Sequence, residues 1–73
     1  MVMSDWKYVD SSVIKAVRYD PDQGILQIEF NSGQVYEYYD VPQHEFDGLM
    51  SADSHGSYAN HNIFYSYRYE RIG

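Results

Sequence analysis

The sequence predicts an α+β domain: an antiparallel meander of three strands, a short helical pair, and a Tyr-rich C-terminal strand that rejoins the sheet. Three observations predict it. Leu26, Ile28 and Phe30 alternate with Gln27 and Glu29, as a strand with one wet face requires. Asp20-Pro21-Asp22-Gln23-Gly24 and Asn31-Ser32-Gly33 carry turn chemistry on either side of that strand. Beyond Pro42, Phe46, Leu49 and Met50 recur at helical spacing.

Taken in order, Val13 to Tyr19 reads as the first strand, rich in β-branched residues and bounded by breakers. Simple alternation puts Val13, Val17 and Tyr19 on one face with Lys15 among them, and Ile14, Ala16 and Arg18 on the other. Proline fixes φ for a type I turn at Asp20–Gly24, and Gly24 supplies a positive φ for the return. The second strand points Leu26, Ile28 and Phe30 inward and leaves Gln27 and Glu29 to solvent. Gln34 to Val41 is the third strand, with Val35 and Tyr39 opposite Tyr36 and Tyr38. Pro42 opens a helix that Gly48 is expected to make short or irregular. After the small, polar break at Ser51–Gly56, Ser54 is placed to cap a second helix running to about Ile63, although Asn60, His61 and Asn62 lower its propensity. The segment from Phe64 to Ile72 then reads as a strand with Tyr65, Tyr67 and Tyr69 on one face.

At 73 residues the chain has room for one domain, residues 1–73, with an ordered core expected at about 9–72. A domain this size buries only about 60% of its unfolded surface. No cysteine is present to staple it, so nine Tyr, three Phe and one Trp must supply the buried area. The absence of thiols leans towards a cytoplasmic setting. The opening MVMSDWKY lacks a basic region followed by an apolar run, and no stretch approaches the roughly 18 apolar residues that span a bilayer, which disfavours secretion and membranes. Eleven acidic against five basic side chains give a formal charge of −6, which opposes phosphate backbones and favours a basic partner surface.

The ordered set Val9, Ser11-Ser12, Ile14, Tyr19-Asp20, Leu26, Ile28, Phe30, Gly33, Tyr36, Tyr38, Val41-Pro42, Ala52-x-Ser54-x-Gly56, Ile63, Tyr67, Tyr69 and Glu70-Arg71-Ile72 resembles the KTSC domain family along nearly the whole chain. Members of that family occur as small stand-alone proteins and at the carboxyl terminus of some lysyl-tRNA synthetases. The resemblance implies a fold more than an activity. Through the synthetase context it also implies weak RNA or single-stranded nucleic-acid binding, for which Lys15, Arg18, Arg68 and Arg71 are the available cations. Ala59 and Phe64 depart from the family's pattern, the second standing where a basic residue is usual.

Candidate chemistry is sparse. His44, His55 and His61 lie near Glu45, Asp47 and Asp53, but their spacing matches no familiar zinc pattern, so no metal or cofactor is predicted. Ser11-Ser12 and Ser51/Ser54/His55 lack the geometry of a nucleophile motif and are read as caps and turns. Asp20 and Asp22 are explained by their turn. Gly56, flanked by Ser54, Ser57 and Asn60, could admit an anion to the Ser57 and Tyr58 amides. The preferred expectation is that Gly56 serves close packing or a positive φ, so that Ala there destabilises by about 1 kcal/mol. Tyr36, Tyr38, Tyr65, Tyr67 and Tyr69 form a ladder with Arg68 and Arg71 as its nearest cations, better suited to core and protein contact than to stacking on bases. The function expected is therefore a noncatalytic module that binds a protein through the Tyr-rich face or the Gly56 region. Self-association remains open as a way to form a pocket between subunits.

Overall fold

Each strand of the sheet is antiparallel to its neighbour, and sequence order is spatial order. The computed structural model describes residues 5–73, so Met1 to Ser4, the start of the MVMSDWKY segment, lie outside the described residues. The strands are β1 (Lys7–Tyr8), β2 (Ile14–Asp20), β3 (Ile25–Phe30), β4 (Val35–Tyr38) and β5 (Tyr69–Arg71). Between β4 and β5 come α1 (Gln43–Ser51) and α2 (His55–Asn62). The meander, the helical pair and the returning C-terminal strand are all present. β1, pairing Lys7 with Val17 and Tyr8 with Ala16, is an addition that two residues of sequence do not announce.

The first strand corrects the simple alternation. Ile14 lies opposite Phe30 but Ala16 lies opposite Glu29, so Lys15 is an extra residue, a β-bulge. One extra residue inverts side-chain parity. Ile14 thereby joins Val17 and Tyr19 on the core face, while Val13 falls outside the strand and is 43% exposed. Leu26 and Ile28 are fully buried, and Phe30 is partly buried at the rim against Tyr36 and Phe64.

The opposite sheet face also differs from expectation. Gln27 points away from the core yet is only 7% exposed. Its amide oxygen accepts the Arg18 Nε–H at 2.7 Å, and its amide nitrogen donates to Glu37 Oε1 at 2.7 Å. Arg18 in turn lies 4.4 Å from the Trp6 ring centre. Arg18 and Glu37 thus give this buried side-chain amide a partner on each of its polar atoms.

The strand predicted to reach Val41 stops at Tyr38, because Asp40 adopts a left-handed φ of 57° and turns the chain. Val41 drops back into the core, donating its N–H to Gly24 and receiving the Tyr19 hydroxyl on its carbonyl. The helices lie on the face that carries Ile14, Val17, Tyr19, Leu26, Ile28 and Tyr38, to which they add Phe46, Leu49, Ala59 and Ile63. Tyr19 stacks on Phe46 with ring centres 4.9 Å apart.

Of the two expectations for α1, short or irregular, the first holds: the helix has nine residues and continues through Gly48 without a break. The glycine is there for clearance: a Cβ would overlap Tyr58 Oη and stand 2.7 Å from its Cζ. That clearance lets the Tyr58 hydroxyl donate to Glu45 Oε1 at 2.6 Å, while the Tyr67 hydroxyl donates to Glu45 Oε2 at 2.8 Å. Ser54 caps α2 as predicted, its hydroxyl accepting the Ser57 N–H at 3.2 Å. His55 Nδ1 meets the Leu49 carbonyl at 2.8 Å and joins the two helix ends.

The C-terminal strand is shorter than predicted. Ile63 and Phe64 both donate their N–H to the Ala59 carbonyl, and Ser66 donates to Ile63, so residues 63–66 turn instead of extending. The three tyrosines consequently do not form one strand face: Tyr65 is 87% exposed in the turn, while Tyr67 reaches Glu45 and Tyr69 pairs with Tyr38.

Two measurements check this architecture. In urea denaturation, Ile28→Ala should cost about 2–5 kcal/mol, and Gln27→Ala about 1 kcal/mol because it removes the hydrogen-bond partner of the half-buried Arg18 and Glu37. A neutral Gln27→Ala would mean that the outer-face network does not form. The second is alkaline. The Tyr67 hydroxyl is pushed up to about 12 by burial and then by Glu45; that of Tyr58 is raised by its hydrogen bond to Glu45 and then by burial. Folding favours their neutral forms, and for Tyr67 the stability this adds is complete below the ordinary tyrosine value of 10.0 and is lost as pH rises through about 12. Ultraviolet titration of tyrosinate beside denaturation should show both events in that window, and Glu45→Gln should move them to lower pH.

Candidate functional site

The Ser11–Val13 loop that precedes β2 is pinned from both directions. The Ser11 hydroxyl accepts the N–H groups of Val13 and Ile14, each at 3.1 Å, which fixes the turn into the strand. Asn31, in the β3–β4 turn, donates its side-chain amide to the Ser11 carbonyl at 2.8 Å and its N–H to Val13 at 2.9 Å. α2 faces this loop. Between them opens a cleft of about 330 Å³ lined by Ser12, Val13, Ser54, Gly56, Ser57, Asn60 and Phe64.

Gly56 forms part of its floor. Its φ is not among the positive values, which occur at Gly24 and Gly33, so the positive-φ expectation is overturned. Close packing does not require the glycine either: a Cβ would stand 3.4 Å from Val13 Cβ and Cγ2 and 3.6 Å from Ser11 Oγ, ordinary contact distances, so the expectation that Ala destabilises here is not met by the geometry. The anion reading meets an obstacle in the amides themselves. Ser57 N–H donates to Ser54 Oγ and Tyr58 N–H to the Ser54 carbonyl at 3.0 Å, so both are already engaged.

Of the residues singled out from sequence, Ser54, Gly56, Ser57 and Asn60 meet in the cleft. Tyr58 does not join them: its hydroxyl turns to Glu45 on α1. Tyr67 meets the same carboxylate. Tyr69 leans on Tyr36 and Tyr38, with ring centres 5.6 and 5.7 Å away, and remains 54% exposed. Phe64 connects the two regions, lining the cleft and packing on Phe30 and Tyr38 at 5.6 and 6.1 Å. Burial and then the neighbouring phenols Tyr36, Tyr69 and Tyr65 raise the Tyr38 hydroxyl.

Arg68 and Arg71 part company. Arg68 lies over Tyr39, 4.8 Å from its ring centre, on the sheet face away from the helices, while Arg71 Nε donates to the Gly73 carbonyl at 2.9 Å. Among the described residues, no three His, Cys, Asp or Glu side chains gather where they could hold a metal. His61 Nδ1 lies 2.8 Å from the Ser57 carbonyl of its own helix. Asp20 Oδ1 accepts the Asp22 and Gln23 N–H groups, the turn role predicted for it. No helix among the described residues is long and apolar enough to cross a membrane. Sequence reasoning missed Ser12, Val13 and Phe64 as walls of the cleft, since nothing local brings residues 12 and 64 together.

Gly56→Ala and Gly48→Ala give opposite outcomes in thermal melts. At position 56 a helical backbone with room for Cβ should gain about 0.5–1 kcal/mol. At position 48 the collision with Tyr58 should cost about 1–3 kcal/mol. Equal effects at the two sites would contradict this placement of α2.

The sequence profile of the KTSC domain matches residues 10–67. A protein of Tsukamurella paurometabola is 46% identical over 52 residues, 71% of this chain and 78% of that protein. One from Stutzerimonas stutzeri is 42% identical over 66 residues, 88% of this chain and 92% of the relative. A lysine–tRNA ligase of Nostoc sp. is 40% identical over 63 residues, which are 86% of this chain but 11% of the ligase. The crystal structure of a KTSC domain protein from Yersinia pestis superposes with a TM-score of 0.91 at 34% identity, over 99% of this chain and all of that one. The chain belongs to the KTSC domain family.

Proposed function

We propose that the chain works in the cytoplasm as a noncatalytic binding module whose contact site is the cleft between the Ser11–Val13 loop and α2, and whose partner is a protein. One observation carries the reading. In a chain of charge −6, none of the seven residues lining the cleft is charged: Val13 and Phe64 give apolar walls, and Ser12, Ser54, Ser57 and Asn60 give a hydrogen-bonding rim. Apolar walls with a few placed polar groups suit a neutral peptide segment, and nothing in the lining would neutralise a phosphate. Two of the carboxylates less exposed to solvent are engaged elsewhere: Glu45 by two phenols and Asp20 by its turn.

A second reading rests on the matching segment of the Nostoc lysine–tRNA ligase, which favours RNA as partner. The sheet face away from the helices is where it would apply, with Trp6 beside Arg18 and Tyr39 beside Arg68. Glu29, Glu37 and Glu70 share that face with Lys15, Arg18 and Arg68, and three acids cancel three bases. Electrostatic attraction for a polyanion is absent from that sum.

Ser57→Tyr separates the readings. Ser57 is exposed on the rim, so a ring there fills the cleft without touching the core. Affinity capture from native lysate should recover a protein with the wild type and lose it with Ser57→Tyr at unchanged melting temperature. Equal recovery by both, or by neither, would refute the cleft. A gel shift with transfer RNA at low salt, insensitive to Ser57→Tyr, would select the RNA reading.

A further inference from the structure

β5 closes the sheet with one side paired to β4 and, among the described residues, the other unpaired. Tyr39 N–H donates to the Arg68 carbonyl at 2.9 Å, and Ile72 N–H donates to the Val35 carbonyl at 2.8 Å. Backbone groups alternate along an antiparallel strand, so residues 68, 70 and 72 face β4, and the N–H and C=O of Tyr69 and Arg71 point outward from the edge. All three β5 residues are exposed. Short, charged edge strands ordinarily resist pairing, which makes the order of charges on this one the deciding feature.

That order is Arg68, Tyr69, Glu70. A second copy laid antiparallel with Tyr69 opposite Tyr69 sets Arg68 against the second copy's Glu70, and Glu70 against its Arg68. Both are non-hydrogen-bonded pairs, where side chains approach most closely. The outward amide and carbonyl of the two Tyr69 residues then exchange two hydrogen bonds, and their rings meet on the face that carries Tyr36 and Tyr38. Centring the pair on Glu70 or on Arg71 instead opposes like charges.

We infer that β5 is a self-association edge, at which a second copy of this chain adds antiparallel across Tyr69 and joins the two five-stranded sheets into one. The edge lies outside the cleft lining and goes beyond the partner read there. The charge of −6 on each copy opposes approach at long range, so the pairing requires moderate salt: the screening length falls from about 30 Å at 0.01 M to about 8 Å at 0.15 M.

Sedimentation equilibrium at about 0.15 M salt and up to about 1 mM chain, the affinity range of a small contact, tests the inference. Wild type should dimerise. Arg68→Glu and Glu70→Arg should each weaken the dimer about tenfold, by placing like charges opposite at both symmetric pairs. The double exchange Arg68→Glu/Glu70→Arg should restore it, and Ser57→Tyr should leave it unchanged. Circular dichroism confirms folding; if Glu70→Arg fails to fold, Glu70→Gln should weaken the dimer about threefold. A monomer throughout, a dimer indifferent to the single exchanges, or a double variant as weak as the singles would overturn the proposal. So would an edge that pairs only with an unrelated extended peptide.

Discussion

The carboxylate of Glu45 is the point at which three separate segments are held together. It projects from α1, receives the Tyr58 hydroxyl from α2 on one oxygen, and receives the Tyr67 hydroxyl from the segment before β5 on the other. Two neutral donors satisfy a partly buried charge without a basic partner, an economical arrangement in a chain with only five Lys and Arg. Everything downstream of the meander follows from this contact. It fixes α2 against α1, and hence against the Ser11–Val13 loop, so the width of the cleft depends on it. It also draws Tyr67 inward, so the chain must turn at residues 63–66 before it can return as β5. Gly48 is the steric condition for the contact, because any side chain there would displace the Tyr58 ring.

On the other side of the sheet a second network performs the same service for charge. Arg18, Gln27, Glu37 and Glu70 stand in one row of directly opposed residues across β2 to β5. Arg18 and Glu37 are linked through Gln27, and the Tyr39 hydroxyl lies 2.8 Å from Glu37 and 3.2 Å from Glu70. The hydrogen bond to Glu37, foremost, pushes the Tyr39 hydroxyl up to about 12, as expected for a proton shared between carboxylates. The row sets Glu37 opposite Glu70, an unfavourable pair that one phenol moderates. A face whose charges are committed to one another presents little net charge to a polyanion.

Legibility in the sequence followed the range of the interactions. The turns at Asp20–Gly24 and Asn31–Gly33, the Ser54 cap and the core-facing Leu26 and Ile28 depend on neighbours within a few residues, and all stood as read. The bulge at Lys15 showed only as imperfect alternation, because parity inversion is a property of the pair of strands. The shortened β5 was hidden for a related reason: Tyr-x-Tyr-x-Tyr is a strand pattern locally, and the competing pull on Tyr67 comes from Glu45, twenty-two residues away. Half of the cleft was legible as the Ser54/Gly56/Ser57/Asn60 group on one helix face. The half formed by Ser12, Val13 and Phe64 arises from tertiary packing alone. Gly56 was read as serving close packing or a positive φ, and the structure requires neither: its φ is not positive and a Cβ would find ordinary contacts.

Tyrosine serves this small domain in a way that phenylalanine could not. Tyr38 is 3% exposed and Tyr19 4%, so both contribute ring area to the core as Phe would. Yet the hydroxyls of Tyr19, Tyr58 and Tyr67 each reach a carbonyl or carboxylate on another element, adding directional bonds that tie the helices to the sheet in the absence of any disulfide. The same residue type then meets solvent without penalty at Tyr65 and Tyr69, where the aromatic cluster reaches the surface beside the open edge. Core and exposed surface are therefore one continuous aromatic layer, graded from buried to exposed through Tyr38, Tyr36 and Tyr69. A partner that covers Tyr69 extends this core, so binding at the edge and stability of the domain are coupled through the same rings.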